Sequence, residues 1–281
     1  TKPSHMKYLT LLLITIALAA SCKKKENVIP EPPKVPVQTE YRLMKVHGDS
    51  ATYTSYAYND NNLVKSITHY YQVLQFHYTV PAVNLSYDYY EYDSQWRISK
   101  SSSTPMEQAK EYSTYSYNDN LKPSARYNSK YTTPMEEYSY NGNRMAERKT
   151  YDIHGTIVST EQWTYNSAGN LETKVIQYYP KPSPNVATDK FIIKYLQYDN
   201  AHAIRLAMPG VQDIQFGDDM SENNVLKSEY TMYTTDGKTL SELSEYSYEY
   251  NSGNFPVKAI VKTTISGTTT VYAPVYYEYN Q

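Results

Sequence analysis

Few residues of this chain are typed and spaced for chemistry. The two tryptophans, Trp96 and Trp163, each stand beside a turn signal. An indole presented there can stack on a sugar face or grip a protein side chain; the same ring serves equally as a cross-strand packing partner. The histidines are His5, His47, His69, His77, His154 and His202. His69 and His77 have an even spacing that would set them on one face of a continuous strand, but zinc needs several converging ligands, and solvated histidines are the simpler account. The acidic turns Asn59-Asp60-Asn61-Asn62 and Asp218-Asp219 lack the glycine and the distal glutamate of an EF-hand calcium loop. No Gly-x-Ser-x-Gly elbow, phosphate loop or dinucleotide fingerprint occurs. Glutamates are numerous, yet no pair is set apart as acid and base. The reading is a protein with no catalytic turnover, metal or cofactor.

What must position Trp96 and Trp163 is a repeat. Tyr-x-Tyr followed by Asn or Asp begins at Tyr56, Tyr90, Tyr115, Tyr138, Tyr248 and Tyr277, with near-copies at Trp163-Thr164-Tyr165-Asn166 and Leu196-Gln197-Tyr198-Asp199. Strand side chains alternate, so both rings of a copy share one face. The Asx that follows tolerates left-handed backbone and can bond its own main chain two residues on, which ends the strand in a turn. Asn141-Gly142, His154-Gly155 and Asp236-Gly237 add hairpin signals. Two strands per anchor give about 14–18 strands in one antiparallel meander of hairpins over residues 40–281. So long a sheet must curve strongly or close into a barrel-like body to dispose of its edges, and the repeat does not choose between them. Asp199 to Asn224 is irregular and reads as an ordered crossover loop or a short helix. Pro180, Pro182 and Pro184 mark a second long loop.

The faces bear on whether such a sheet spans a membrane. Between Leu240 and Tyr250 one face carries Leu240, Glu242, Ser244, Tyr246, Tyr248 and Tyr250, and the other Ser241, Leu243, Glu245, Ser247 and Glu249. A lipid-facing strand needs an apolar outer face, where a charge near the midplane costs ~2–4 kcal/mol. Neither face supplies one, so the expectation is a water-soluble, all-β body. Tyrosine, at 34 residues against 4 phenylalanines, takes over much of the usual core role. Its ring packs while its hydroxyl stays wet.

A net charge of −2 leaves no electrostatic footprint for nucleic acid. Met6-Lys7, the apolar run from Leu9 to Leu18 and the small residues Ala19-Ala20-Ser21 follow the order of a secretory signal peptide; the run is too short to span a bilayer as a mature helix. The only cysteine, Cys22, comes next. An exported domain with no later cysteine has no disulfides and rests on packing and strand pairing. The organisation is therefore a leader at 1–21, a tether at 22–39 containing Pro30, Pro32, Pro33 and Pro36, and the repeat domain at 40–281. Proline-rich tethers extend at ~3.1 Å per residue.

The Ala19-Ala20-Ser21-Cys22 junction resembles the bacterial lipobox, with Ala19 where leucine is usual. That resemblance implies that Cys22 is acylated and anchors the chain to a membrane. The Tyr-x-Tyr-Asx units resemble the YD repeats of RHS-type proteins, most closely at Trp163-Thr164-Tyr165-Asn166-Ser167-Ala168-Gly169-Asn170-Leu171. Ser21-Cys22-Lys23-Lys24, Glu222-Asn223-Asn224, and Tyr246-Ser247-Tyr248-Glu249-Tyr250-Asn251 through Phe255-Pro256 resemble an uncharacterised Bacteroidota family of Tyr-rich lipoproteins with a porin-like β fold. This family implies lipidation, export and a meander curled toward a barrel, and it brings no site residues. The expected function is that of an outer-membrane lipoprotein, on the periplasmic or the surface face, binding a glycan or an envelope protein. The alternative is an envelope scaffold with no small ligand. A contiguous exposed aromatic patch favours binding, and evenly tiled rings favour the scaffold.

Overall fold

Each Tyr-x-Tyr-Asx unit closes one strand, and in all but the last, at Tyr277, the residues after its Asx open the next. In this computed structural model, residues 41–48, 52–73, 82–179, 189–211, 220–234 and 236–280 are described. The leader, Cys22, the tether, His77, Pro180–Pro184 and Asp218-Asp219 lie outside the described residues. The strands are β1 (Arg42–His47), β2 (Tyr53–Tyr58), β3 (Val64–Val73), β4 (Ala82–Tyr92), β5 (Ile98–Ser102), β6 (Ser113–Tyr117), β7 (Pro123–Asn128), β8 (Pro134–Asn141) and β9 (Arg144–Tyr151). They continue as β10 (Ile157–Tyr165), β11 (Leu171–Tyr178), β12 (Lys190–Tyr198), β13 (Val225–Tyr233), β14 (Thr239–Tyr250), β15 (Pro256–Ile265), β16 (Thr268–Val271) and β17 (Val275–Asn280). The only helical pieces among the described residues are the 3-10 turns Met106–Gln108 and Ile204–Ala207.

The Asx residues act as turn hubs. Asn59, Asp93, Asn118, Asn166 and Asn251 each accept, on Oδ1, the N–H groups two and four residues further on, at 2.8–3.1 Å. The residue three beyond each Asx is left-handed: Asn62 (φ 61°), Trp96 (62°), Leu121 (60°), Gly169 (91°) and Asn254 (63°). This is the type I turn with a left-handed bulge residue, a common hairpin solution. The ladder accordingly slips beside the last tyrosine of each unit, as between Ala57 and Tyr58 or Glu91 and Tyr92. The first or second residue of the return strand turns inward and is covered, as with Val64, Ile98, Met145 and Leu171.

The second tyrosine of most units then ties its strand to the preceding one. Tyr58, Tyr92, Tyr117, Tyr165 and Tyr198 donate their hydroxyls to the carbonyls of Leu43, Val64, Ile98, Met145 and Leu171, at 2.6–3.0 Å. Tyr279 does the same to Pro256, whereas in the Tyr248 unit the first tyrosine makes the tie, to the Val225 carbonyl. The repeat is thus a ring of hydroxyl-to-carbonyl ties around one end of the body, hereafter the base.

Each strand from β1 to β15 pairs antiparallel with its sequence neighbour. Both β16 and β17 pair with β15, end to end, so they are two halves of one wall strand, broken at Ala273-Pro274. Beyond the break β17 pairs with β1, from Arg42 opposite Asn280 to His47 opposite Tyr276. The sheet therefore closes into an antiparallel barrel of 16 strands. Of the two outcomes open from the sequence, closure is the one adopted.

Alternation sorts the two sides of the wall. Tyr56, Ile67, Tyr90, Tyr138, Trp163, Lys174 and Ser244 are buried on the inner side. The outer side carries interstrand ion pairs: Glu245 with Lys227 and Lys262 at 3.4 and 3.2 Å, Glu249 with Lys258 at 2.6 Å, Glu91 with Lys100 at 2.9 Å. Exposed pairs contribute little stability each. Their effect here is to give the outer wall charge where a lipid-facing wall would be apolar. No helix among the described residues is long and apolar enough to cross a membrane.

Candidate functional site

The segment between β12 and β13, expected to be an ordered crossover loop or a short helix, packs its described residues into the base. Ala203 is fully covered, and Ala207, Met208 and Val211, also covered, pack with Leu43, Tyr56, Val64, Tyr90, Ile98 and Phe255. Met220 packs on the other side, against the cluster of Tyr138, Met145, Trp163 and Leu171. Main-chain bonds hold it there: Val64 N–H to the Pro209 carbonyl at 3.1 Å and His202 N–H to the Asn254 carbonyl at 3.0 Å. Gly210 is required, since a Cβ there would fall 2.7 Å from the Tyr92 hydroxyl and its φ is +94°. The described residues of this segment therefore fill part of the interior at the base.

The two expected stacking residues are far apart in role. Trp96 occupies the left-handed position of the turn after Asp93, where it borders an open depression of about 430 Å³ with Asp60, Asn61, Lys65 and Glu91. Trp163 is 4 % exposed on the inner wall, and Lys174 Nζ stands 6.0 Å from its ring centre. A ring so covered is a packing residue and offers no face to a ligand from solvent. Around it lies a buried polar network. Glu161 pairs with Lys174 at 3.0 Å and with Arg148, while Arg126 pairs with Glu136 at 3.1 Å and Tyr138 donates to Glu136. Burial alone would raise the Glu161 carboxyl, but Arg148 and Lys174 outweigh it and hold the group below the usual carboxylate range. Burial lowers Lys174 in spite of Glu161. These charges are matched to each other and fill the interior.

His69 does not meet a metal-ligand set. It accepts or donates at Thr54 Oγ1 (3.1 Å) through Nδ1 and faces Asp88 Oδ2 (3.2 Å) through Nε2, a line across β2, β3 and β4. The strand residues that carry this line are paired in the ladder, so their amides do not converge on an oxyanion. No group of three or more metal-ligating side chains occurs among the described residues.

The feature that sequence reading passed over lies at the opposite end, the mouth. Lys174, Ile176 and Tyr178 share the inner face of β11; Ile176 stands opposite Phe191, Ile193 opposite Tyr230, and Tyr230 opposite Glu242. The rings of Tyr178 and Phe191 meet edge to face, 5.5 Å apart at 89°, and Phe191 leans on Tyr230 at 5.7 Å and 34°. Tyr178 remains 49 % exposed and Leu240, beside Met232, 43 %. The result is an aromatic ledge on the inner wall, still open to solvent. Register sets Glu242 directly across from Tyr230; burial first, then Glu242 and Tyr178, raise the Tyr230 hydroxyl. Period-two spelling in Ile176-x-Tyr178, Phe191-x-Ile193 and Tyr230-x-Met232 was the available signal; none of these stretches contains the Tyr-x-Tyr repeat.

No family model and no curated protein matches this chain. Among solved structures, a porin-like protein from Bacteroides uniformis matches with a TM-score of 0.53 at 14 % identity, covering 85 % of this chain and 96 % of that one. A porin-like protein from Bacteroides vulgatus covers 85 % and 99 % at 10 % identity, with a TM-score of 0.43. A TcdB2-TccC3 structure matches over 82 % of this chain and 11 % of that one, with 11 % identity and a TM-score of 0.39. The first likeness shows a shared porin-like barrel fold.

Proposed function

We propose that this chain is an exported, lipid-anchored barrel of the cell envelope that captures a glycan or an envelope protein at its mouth, without catalytic turnover. The observation that carries the reading is the ledge of Tyr178, Phe191 and Tyr230, open to solvent at the end opposite the packed base. Ligand sites favour the mouths of β-barrels, and rings set on strands are already ordered, so contact costs little further entropy. The porin-like fold supports an envelope setting, and the Cys22 junction supports attachment by lipid rather than by spanning strands.

The test is a glycan array together with a pull-down from envelope extracts, using the full chain, Phe191→Ala and Tyr230→Ala. Capture that survives in Trp163→Ala and fails in the two ledge variants supports the proposal. Capture unchanged in both ledge variants, or absent altogether, returns the protein to the scaffold reading. That alternative has its own support in the ring of hydroxyl-to-carbonyl ties, which gives one tyrosine in most units an architectural task.

A further inference from the structure

We infer that the ledge takes a protonated amine, and that its occupant is the lysine side chain of a partner protein. The inference rests on the capture reading and narrows it. Inner-wall carboxylates elsewhere are matched: Glu161 with Lys174 and Arg148, Glu136 with Arg126, Asp88 with His69. Glu242 differs. It accepts a hydrogen bond from Ser244 Oγ at 3.2 Å and has no cationic partner among the described residues. Ser244 is 7 % exposed and also bonds Thr263 at 3.1 Å, so the carboxylate is steadied from below. Tyr230 stands directly across from it on β13.

Charge complementarity then selects the ligand. A lone carboxylate beside aromatic faces attracts a cation twice over, by direct pairing and through the ring quadrupoles. The ring geometry points the same way. A sugar stacks on a flat plate, whereas the 89° meeting of Tyr178 with Phe191 makes a corner. A compact ammonium fits beside Tyr230, where its donors face Glu242 across the β13–β14 pairing while its methylene stem lies along Leu240 and Met232.

The experiment is an NMR titration of the full chain with an end-capped Gly-Gly-Lys-Gly-Gly peptide, with the same peptide acetylated on the lysine amine, and with a neutral oligosaccharide. The free-amine peptide should perturb ledge signals at millimolar concentration, and acetylation should weaken binding about ten-fold or more, which corresponds to about 1.4 kcal/mol. Glu242→Gln should lose as much, and so should Phe191→Ala, while the outer-wall variant Glu245→Gln should bind like the parent. Equal binding of the free and acetylated peptides, or undiminished binding by Glu242→Gln, would overturn the inference. So would failure of the free-amine peptide to bind. If the acetylated peptide or the oligosaccharide binds the ledge without any advantage for the amine, capture stands and the cation preference falls.

Discussion

Replacing Tyr92 with Phe isolates the hydroxyl-to-carbonyl tie from everything else the repeat does. The Tyr92 hydroxyl donates to the Val64 carbonyl at 2.6 Å, and Val64 is wholly buried. Tyr92→Phe keeps the ring, so no cavity opens and the lost oxygen is the whole perturbation. A buried acceptor left without its donor costs about 1–3 kcal/mol. The matching change at Tyr272, 52 % exposed, should cost close to nothing. Tyr198→Phe removes the equivalent tie to the Leu171 carbonyl, 2.7 Å long, on a different stretch of wall. The two sites share no partner, so their costs should add, to about 2–6 kcal/mol in the double variant. Against a typical total of about 5–15 kcal/mol, that is a large share. Equilibrium unfolding in urea, followed by far-ultraviolet circular dichroism, measures it, provided the denaturant slope stays that of the parent. If both single variants lose less than about 0.5 kcal/mol, the ties are incidental contacts and the repeat stabilises the barrel by ring packing alone.

Alkaline titration should separate two classes of tyrosine. Burial first, then neighbouring phenols or carboxylates, raises Tyr58, Tyr90, Tyr92, Tyr138 and Tyr279 well above the ordinary phenol value. A raised native value means that the stability these groups contribute is whole below an unfolded value of about 10 and is lost as pH rises past it. Phenolate absorbance should therefore show an early, gradual phase, and then a late one coincident with loss of β structure; a single gradual phase with the fold intact would contradict the assignment. Cys22→Ala should move the protein from the membrane to the soluble fraction, since each methylene of the acyl chains adds ~0.8 kcal/mol of membrane binding; persistent membrane association in that variant would refute lipid anchoring.

The local grammar was legible because it is local. Tyr56-x-Tyr58-Asn59 specifies a strand end and a turn hub within a few residues, and the hub bonds form inside the same segment. Closure was not legible. It depends on Arg42–His47 finding Val275–Asn280, and β1 has no Tyr-x-Tyr spelling to announce its partner. The two tryptophans show a second limit. Alternation put Trp163 on the face of Tyr165, but only closure makes that face an interior, where the ring is covered. Trp96 fell at a turn position defined by backbone sign, a property that residue type conceals when the residue is not glycine. The ledge escaped because its members are single rings on three strands that become neighbours only through register. The segment from Asp199 to Asn224 reads as irregular, yet its packing at the base follows from Ala207, Met208 and Val211 meeting a wall that only closure builds.

The seam between β1 and β17 has a consequence for how the molecule comes into being. The strand that completes the wall is the last of the barrel to be synthesised, and the strand it must meet is the first. Until then two free edges travel with the growing sheet, each offering unpaired main-chain groups to any other extended chain. The hairpins can form in order, one after another, but the final pairing waits for the whole length and has the greatest loop to close. Folding of this protein is therefore finished by a single late event. A quality-control factor that guards it has to recognise an open sheet rather than a disordered chain.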